Sequence, residues 1–201
     1  MDSLSRIVTS MQLASQDFAL PVLSDSDVHE IIGLGLGEAI SALYPGLSDV
    51  EVQKVRERYA HYYLQEDHSP SQFYDGILPM LEALQQTPAL LSVATGKSRR
   101  GLDRVMSGVG AQDLFHSSRC ADETESKPSP RMVLELLELH QVDPHEAVVV
   151  GDTEFDMEMA RNAGVDRLGV GWGAHHIDRL ANYDPKASFT QVSELADWLL
   201  S

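Results

Sequence analysis

The sequence predicts an α/β fold: a doubly wound, mostly parallel, Rossmann-like sheet carrying a helical cap module. Three observations predict it. Up to about Gln72 the apolar residues follow helical periodicity throughout. From "FYDGILP" onward, short apolar runs alternate with helical stretches. The strongest runs, "ALLSVAT" and "AVVVGD", are nearly continuous in hydrophobicity, as strands covered on both faces are.

The elements follow in order. Leu4, Ile7, Val8, Met11 and Ala14 recur at helical spacing, with Asp2 or Ser3 placed to cap the helix. A second helical block starts near Ser26 and is interrupted by "GLGLG", Gly33 to Gly37. A third opens at Ser48, with Glu51 three residues on as a capping box. Val52, Val55, Tyr59 and Tyr62 or Tyr63 form its apolar stripe. Further on, Leu78 to Gln86 reads as a helix and Ala89 to Thr95 as a buried strand. Leu102, Val105, Met106 and Val109 mark another helix, and Leu114 to Cys120 a weaker strand. Pro128 to His140 reads as a helix with proline in its first turn. "AVVVGD" is a strand, Phe155 to Ala163 a helix, "RLGVGWG" a strand, "ASFT" a last short strand and "SELADWLLS" the closing helix. This divides the chain into a helical cap at 12–74 and an α/β core formed by 1–11 and 75–201.

Composition narrows the partners. With 31 acidic against 15 basic side chains the net charge is -16, and such a surface repels nucleic acid and anionic membranes. Cys120 is the only cysteine, which excludes an internal disulfide and fits a reducing compartment. No apolar run approaches the ~20 residues of a membrane span, and the start lacks the basic leader of a secretory signal. A soluble, cytoplasmic protein is expected.

In sheets of this kind, ligands bind beyond the carboxyl ends of the strands. "ALLSVAT" ends there in Thr95, followed by Gly96 and Lys97, and "AVVVGD" ends in Asp152, with Asp156 four residues on. Lys127 stands just before a predicted helix start in "ESKPSP". A hydroxyl, an ammonium and a helix N-terminus suit a phosphate dianion. Paired carboxylates suit Mg²⁺, a hard cation that keeps waters and bridges to phosphate. Lys97, Arg99, Arg100 and Arg104 form a basic cluster that either lines a phosphate entrance or is a solvated helix face. "GLGLG" follows no strand, so it is not a dinucleotide fingerprint; it is either a loop reaching over a substrate or a break between helices. His175 and His176 read as solvated loop histidines rather than a metal pair, and Tyr59, Tyr62 and Tyr63 as packing inside the cap.

Thr95 at a strand end, Lys127 in "KPSP", and "GDTEFD" followed by "ARNAG" occur in an order and spacing that resemble the second, third and fourth motifs of the haloacid dehalogenase-type hydrolase superfamily. The resemblance is nearest to its phosphoglycolate phosphatase-like group with a helical cap, and it covers essentially all of the chain. It implies a Mg²⁺-dependent phosphomonoester hydrolase that acts on a small phosphorylated metabolite through an aspartyl phosphate. It implies roles as well: Thr95 bonds a phosphoryl oxygen, Gly96 and Lys97 bind substrate, Lys127 offsets charge on nucleophile and phosphate, and Asp152 and Asp156 are metal carboxylates. The family's first motif, Asp-x-Asp-Gly-Thr at the end of an apolar strand, has no match here, although Asp2-Ser3 resemble its tail. The nucleophile, the general acid/base and the central first strand of the sheet are therefore expected to be missing, and the chain by itself is expected to be inactive. The alternative is a non-catalytic remnant of that fold that binds phosphate or a partner. A receiver-like phospho-acceptor fits less well, because helices precede the first visible strand. The residues indicate neither which phosphate ester is used nor the oligomeric state.

Overall fold

The computed structural model describes residues 4–65 and 72–201. Asp2 and Ser3, expected as a helix cap and as the tail of a motif, lie outside the described residues. Four helices come first: α1 (Leu4–Asp17), α2 (Asp25–His29), α3 (Leu36–Leu43) and α4 (Asp49–Gln65). Their starts follow the capping chemistry of the sequence. Ser24 and Asp27 close a capping box on α2. At α4 the Glu51 carboxylate accepts from the Ser48 backbone N–H at 2.8 Å, and Ser48 Oγ accepts from Glu51 N–H. Val8, Met11 and Ala14 of α1 pack with Val28, Ile40, Tyr44 and Val55 in one buried cluster. Each fully buried aliphatic side chain contributes ~1.5–3 kcal/mol, so the helical module has a core of its own. α1 runs unbroken through residue 12, where the division between core and cap was drawn from the sequence.

The second half alternates strands and helices. It contains α5 (Ile77–Gln85), β1 (Ser92–Thr95), α6 (Arg99–Val109), β2 (Ser117–Cys120), α7 (Arg131–His140) and β3 (Val148–Gly151). Then come α8 (Glu154–Asn162), β4 (Asp166–Val170), α9 (Ile177–Leu180), β5 (Ala187–Phe189) and α10 (Val192–Leu200). Several details differ from the sequence reading: β1 starts at Ser92 rather than Ala89, and β4 ends at Val170 rather than running on to Gly173. Leu114 ends a short 3₁₀ turn, so β2 starts only at Ser117. α7 starts at Arg131 rather than Pro128, because residues preceding prolines avoid the helical region and Pro128 and Pro130 impose that on Lys127 and Ser129. α9 was not foreseen, since four residues are too few to show a period.

All strand pairing is parallel, but the strands form two sheets, β1–β2 and β3–β4–β5. Helices cover both faces. Leu168 and Val170 of β4 pack with Met80 and Leu84 of α5, Phe189 of β5 and Leu195 of α10. On the opposite face, Met132 and Val133 of α7 and Met159 and Ala163 of α8 share one cluster, against Ala94 of β1 and Val149 of β3. This cluster joins the two sheets. Among the described residues nothing pairs β1 with β3. Val150 of β3 is 41% exposed, an unusual state for a strand of a parallel sheet, which helices normally cover on both faces. No helix among the described residues is long and apolar enough to cross a membrane.

Candidate functional site

The site is built around the start of α8. Thr153 is the N-cap, and its Oγ1 accepts from the Asp156 N–H at 3.3 Å. Asp156 Oδ2 accepts in return from the Thr153 N–H at 3.0 Å and from Thr153 Oγ1 at 2.6 Å. Asp156 therefore closes a capping box. Its other oxygen, Oδ1, takes the Lys127 ammonium at 2.5 Å. Both side chains are buried, with relative exposures of 7% and 8%. Burial pushes the Asp156 carboxyl up, but the Lys127 ammonium and the Thr153 donors outweigh it and hold the group below the usual carboxylate range. Lys127 thus links the stretch before α7 to the start of α8, and its peptide bond to Pro128 is cis.

Asp152 has a different environment. It is part-buried at the end of β3. Its Oδ2 accepts from the Ala174 N–H at 2.9 Å, and its backbone carbonyl accepts from the His175 N–H at 3.2 Å. The turn after β4 folds back onto it so closely that a Cβ on Gly173 would collide with the Asp152 carboxylate. No cationic side chain pairs with Asp152 among the described residues. The buried ammonium is neutralised by Asp156, so Asp152 keeps an uncompensated negative charge at the strand end.

At the neighbouring sheet, Thr95 Oγ1 accepts from the Lys97 N–H at 3.1 Å, leaving its own hydrogen to be donated. The "GLGLG" segment reaches all three motif regions. A Cβ on Gly96 would collide with the Leu34 carbonyl oxygen and lie 2.8 Å from that of Gly33. The Gly35 N–H donates to Ser126 Oγ at 2.7 Å, one residue before Lys127. Gly33 lies against Thr153 and Phe155. One loop of the helical module therefore touches Gly96, Ser126 and Thr153, so the ends of β1 and β3 and the Lys127 stretch all meet the same loop.

A second contact joins the helical module to the α/β half of the chain. Arg179 donates to Glu30 Oε1 at 2.7 Å and to Glu154 Oε1 at 2.6 Å, so it bridges the end of α2 to the first turn of α8. His175 was expected to be a solvated loop histidine, and the structure corrects this: it is buried, at 3% exposure. Its Nδ1 accepts from the Glu154 N–H at 3.2 Å, and its Nε2–H donates to the His29 carbonyl at 3.2 Å. His176 is exposed. Within the basic cluster, Arg99 is occupied: it grips Glu123 through two nitrogens at 2.9 and 2.8 Å and reaches Ser118 Oγ at 2.9 Å. Arg104 donates to the Leu64 carbonyl of α4 at 3.3 Å.

The sequence reading did not single out Ser126, Gly173, Arg179 or Glu30, and it set His175 aside as solvated. Each acts across more than twenty residues of chain, and none stands in a periodic pattern. The signal for Ser126 was its place beside Lys127, and for Gly173 a glycine-rich turn just past a strand. Among the described residues Asp152 has one carboxylate oxygen without a hydrogen-bond partner and no cation beside it, a donor set that fits a hard divalent ion held by one or two carboxylates. Both oxygens of Asp156 are already engaged by Lys127 and Thr153.

Comparison with known proteins gives the family. The family model described as haloacid dehalogenase-like hydrolase matches residues 1–170. A phosphoglycolate phosphatase of Vibrio vulnificus (strain YJ016) is 28% identical over 100% of this chain and 91% of its own length. An N-acetylmuramic acid 6-phosphate phosphatase of Pseudomonas aeruginosa is 25% identical over 99% of this chain and 89% of its own. Among solved structures, a haloacid dehalogenase-like hydrolase from Bacteroides fragilis superposes with a TM-score of 0.89 at 21% identity, covering 96% of this chain and 93% of that one. That likeness shows the α/β fold. The chain belongs to the haloacid dehalogenase-like hydrolase family, among relatives that are named as phosphatases.

Proposed function

We propose that the ends of β1 and β3 and Lys127 form one site that binds the phosphoryl group of a small phosphorylated metabolite together with Mg²⁺, and that it serves phosphomonoester hydrolysis through an aspartyl phosphate in a soluble, cytoplasmic protein. The observation that carries this is the split between two carboxylates four residues apart. Asp156 is spent on Lys127 and on the helix cap, whereas Asp152 is held by one backbone N–H and faces no cation among the described residues. Asp152 would hold Mg²⁺, which when bound supplies positive charge for a phosphoryl oxygen. Asp156, expected as a second metal carboxylate, acts in this reading mainly by fixing Lys127 and the turn from 152 to 156. Lys127 is thereby held ready to offset charge on phosphate and nucleophile. The Thr95 hydroxyl donates to a phosphoryl oxygen, and Gly96 lets the 33–35 loop close against the end of β1.

The attacking aspartate and the acid/base are not among these groups. We place them on a further parallel strand between β1 and β3, where two sheet edges stand apart and Val150 is half-exposed. No described residue supplies that strand. A remnant that binds phosphate or a partner without turnover is the alternative, favoured by the same gap. The test is phosphate release from a generic aryl phosphate by the chain carrying an apolar strand that ends in Asp-x-Asp-Gly-Thr ahead of Met1. Release that depends on Mg²⁺, stops with chelator and falls at least tenfold in Asp152→Asn supports the reading. No release on any phosphate ester would favour the remnant.

A further inference from the structure

His175 stands where the end of α2 meets the start of α8. Its Nδ1 accepts from the Glu154 N–H and its Nε2–H donates to the His29 carbonyl, each at 3.2 Å. Glu154 is the first residue of α8 and His29 the last of α2. First-turn N–H groups and last-turn carbonyls lack partners within their own helices. A neutral imidazole, with one acceptor and one donor nitrogen, satisfies one group of each kind. Phe155 packs against the ring at 5.8 Å between centroids and 61°. The backbone of the same segment holds Asp152. The Ala174 N–H donates to Asp152 Oδ2 at 2.9 Å, the one donor to that carboxylate among the described residues, and the His175 N–H donates to the Asp152 carbonyl at 3.2 Å. His175 therefore reaches Asp152 through its backbone and the helical module through its ring.

We propose that His175 is a positioning residue for the Mg²⁺ site and couples that site to the attachment of α2; this rests on the phosphatase reading above, with Asp152 as the metal carboxylate. The imidazole touches neither metal nor substrate. It pins the 174–175 backbone beside Asp152, so one carboxylate oxygen stays on the Ala174 N–H and the other is left for the cation. A cation on Asp152 in turn steadies the 152–155 turn on which the ring rests, and the ring passes this to His29. Such coupling is reciprocal: whatever the metal adds to the attachment of α2, an attached α2 adds to the affinity for metal. The helical module is then held more firmly when the metal is in place.

The experiment is a Mg²⁺ titration of the full chain, with inorganic phosphate present, followed through amide NMR signals and through hydrogen exchange with and without the metal. It needs no turnover. The Ala174 amide reports on Asp152, and the Ile32 amide shares the His29 carbonyl with the ring at 3.2 Å. In the unmodified chain Mg²⁺ should shift the Ala174 signal and slow exchange at Ile32. His175→Ala should weaken Mg²⁺ binding ~10-fold, as loss of a group that orients a metal ligand does, and should abolish the slowing. His175→Asn keeps an acceptor for the Glu154 N–H but is too short to reach His29. It should lose less Mg²⁺ affinity than His175→Ala while the slowing at Ile32 disappears, and it serves as the test where His175→Ala does not fold. A merely structural role would lower the unfolding midpoint and leave Mg²⁺ affinity and its effect on Ile32 unchanged, which would overturn the proposal. Mg²⁺ that shifts Ala174 in the unmodified chain without slowing Ile32 would overturn the coupling while the metal site stands. Failure of Mg²⁺ to shift Ala174 in the unmodified chain would overturn the metal site and the coupling with it.

Discussion

The Lys127 ammonium sits 2.5 Å from Asp156 Oδ1, and both side chains are more than nine-tenths enclosed. Removing one partner leaves an uncompensated buried charge, which costs about 3–5 kcal/mol. Lys127→Met and Asp156→Leu should therefore each be strongly destabilising, while the double replacement should recover much of the loss. Denaturant midpoints of the three variants form the cycle. Single losses that simply add in the double variant would contradict the pairing.

Gly96→Ala should displace the 33–35 loop. The added methyl collides with the Leu34 carbonyl and crowds that of Gly33, and backbone atoms yield less readily than side-chain tips. Hydrogen exchange should accelerate at Gly35, whose N–H now binds Ser126. Exchange there as slow as in the unmodified chain would show that the loop does not rest on Gly96.

Arg179→Ala should loosen the end of α2 from α8 without unfolding the protein. Its bonds to Glu30 and Glu154 are partly exposed, and such pairs contribute ~0–1 kcal/mol each. The melting temperature should move little, whereas exchange at residues 28–32 should rise. A large fall in global stability with unchanged exchange there would place Arg179 in the core rather than at the contact between α2 and α8.

Glu123 supplies a pH prediction. The hydrogen bonds from Arg99 hold its carboxyl down at about 2 against a partial desolvation that raises it, and the Cys120 N–H adds to the lowering. The folded state therefore favours the ionised group. The stability it contributes is complete above the ordinary carboxylate range near pH 4.5 and is lost as pH falls toward 2. Unfolding midpoints of Glu123→Gln and the unmodified chain should differ at pH 6 and converge near pH 2. A gap that widens on acidification would reverse the assignment.

Much of this fold was legible because local chemistry and global structure agree. The Ser48–Glu51 box, the strand "AVVVGD" and the placement of Lys127 before a helix all rest on neighbours a few residues apart. The Lys127–Asp156 contact was not legible as a pair, since 29 residues separate them and sequence spacing carries no distance at that range. Arg99 illustrates the opposite risk. It looked free in a cluster of cations, yet Glu123, on the far side of β2, takes it up. At the start of α8 the cap is Thr153, which leaves the neighbouring Asp152 out of the capping box.

The central proposal is that Thr95, Lys127 and Asp152 position phosphate and Mg²⁺ and that none of them is the attacking carboxylate. The most direct measurement is Mg²⁺-dependent phosphate release by the 201-residue chain alone, beside the same chain preceded by an apolar strand ending in Asp-x-Asp-Gly-Thr. A positioned Lys, Thr and carboxylate cannot replace a covalent nucleophile. The account predicts no release above background for the first and robust, chelator-sensitive release for the second. Robust turnover by the 201-residue chain, surviving repurification, would contradict it.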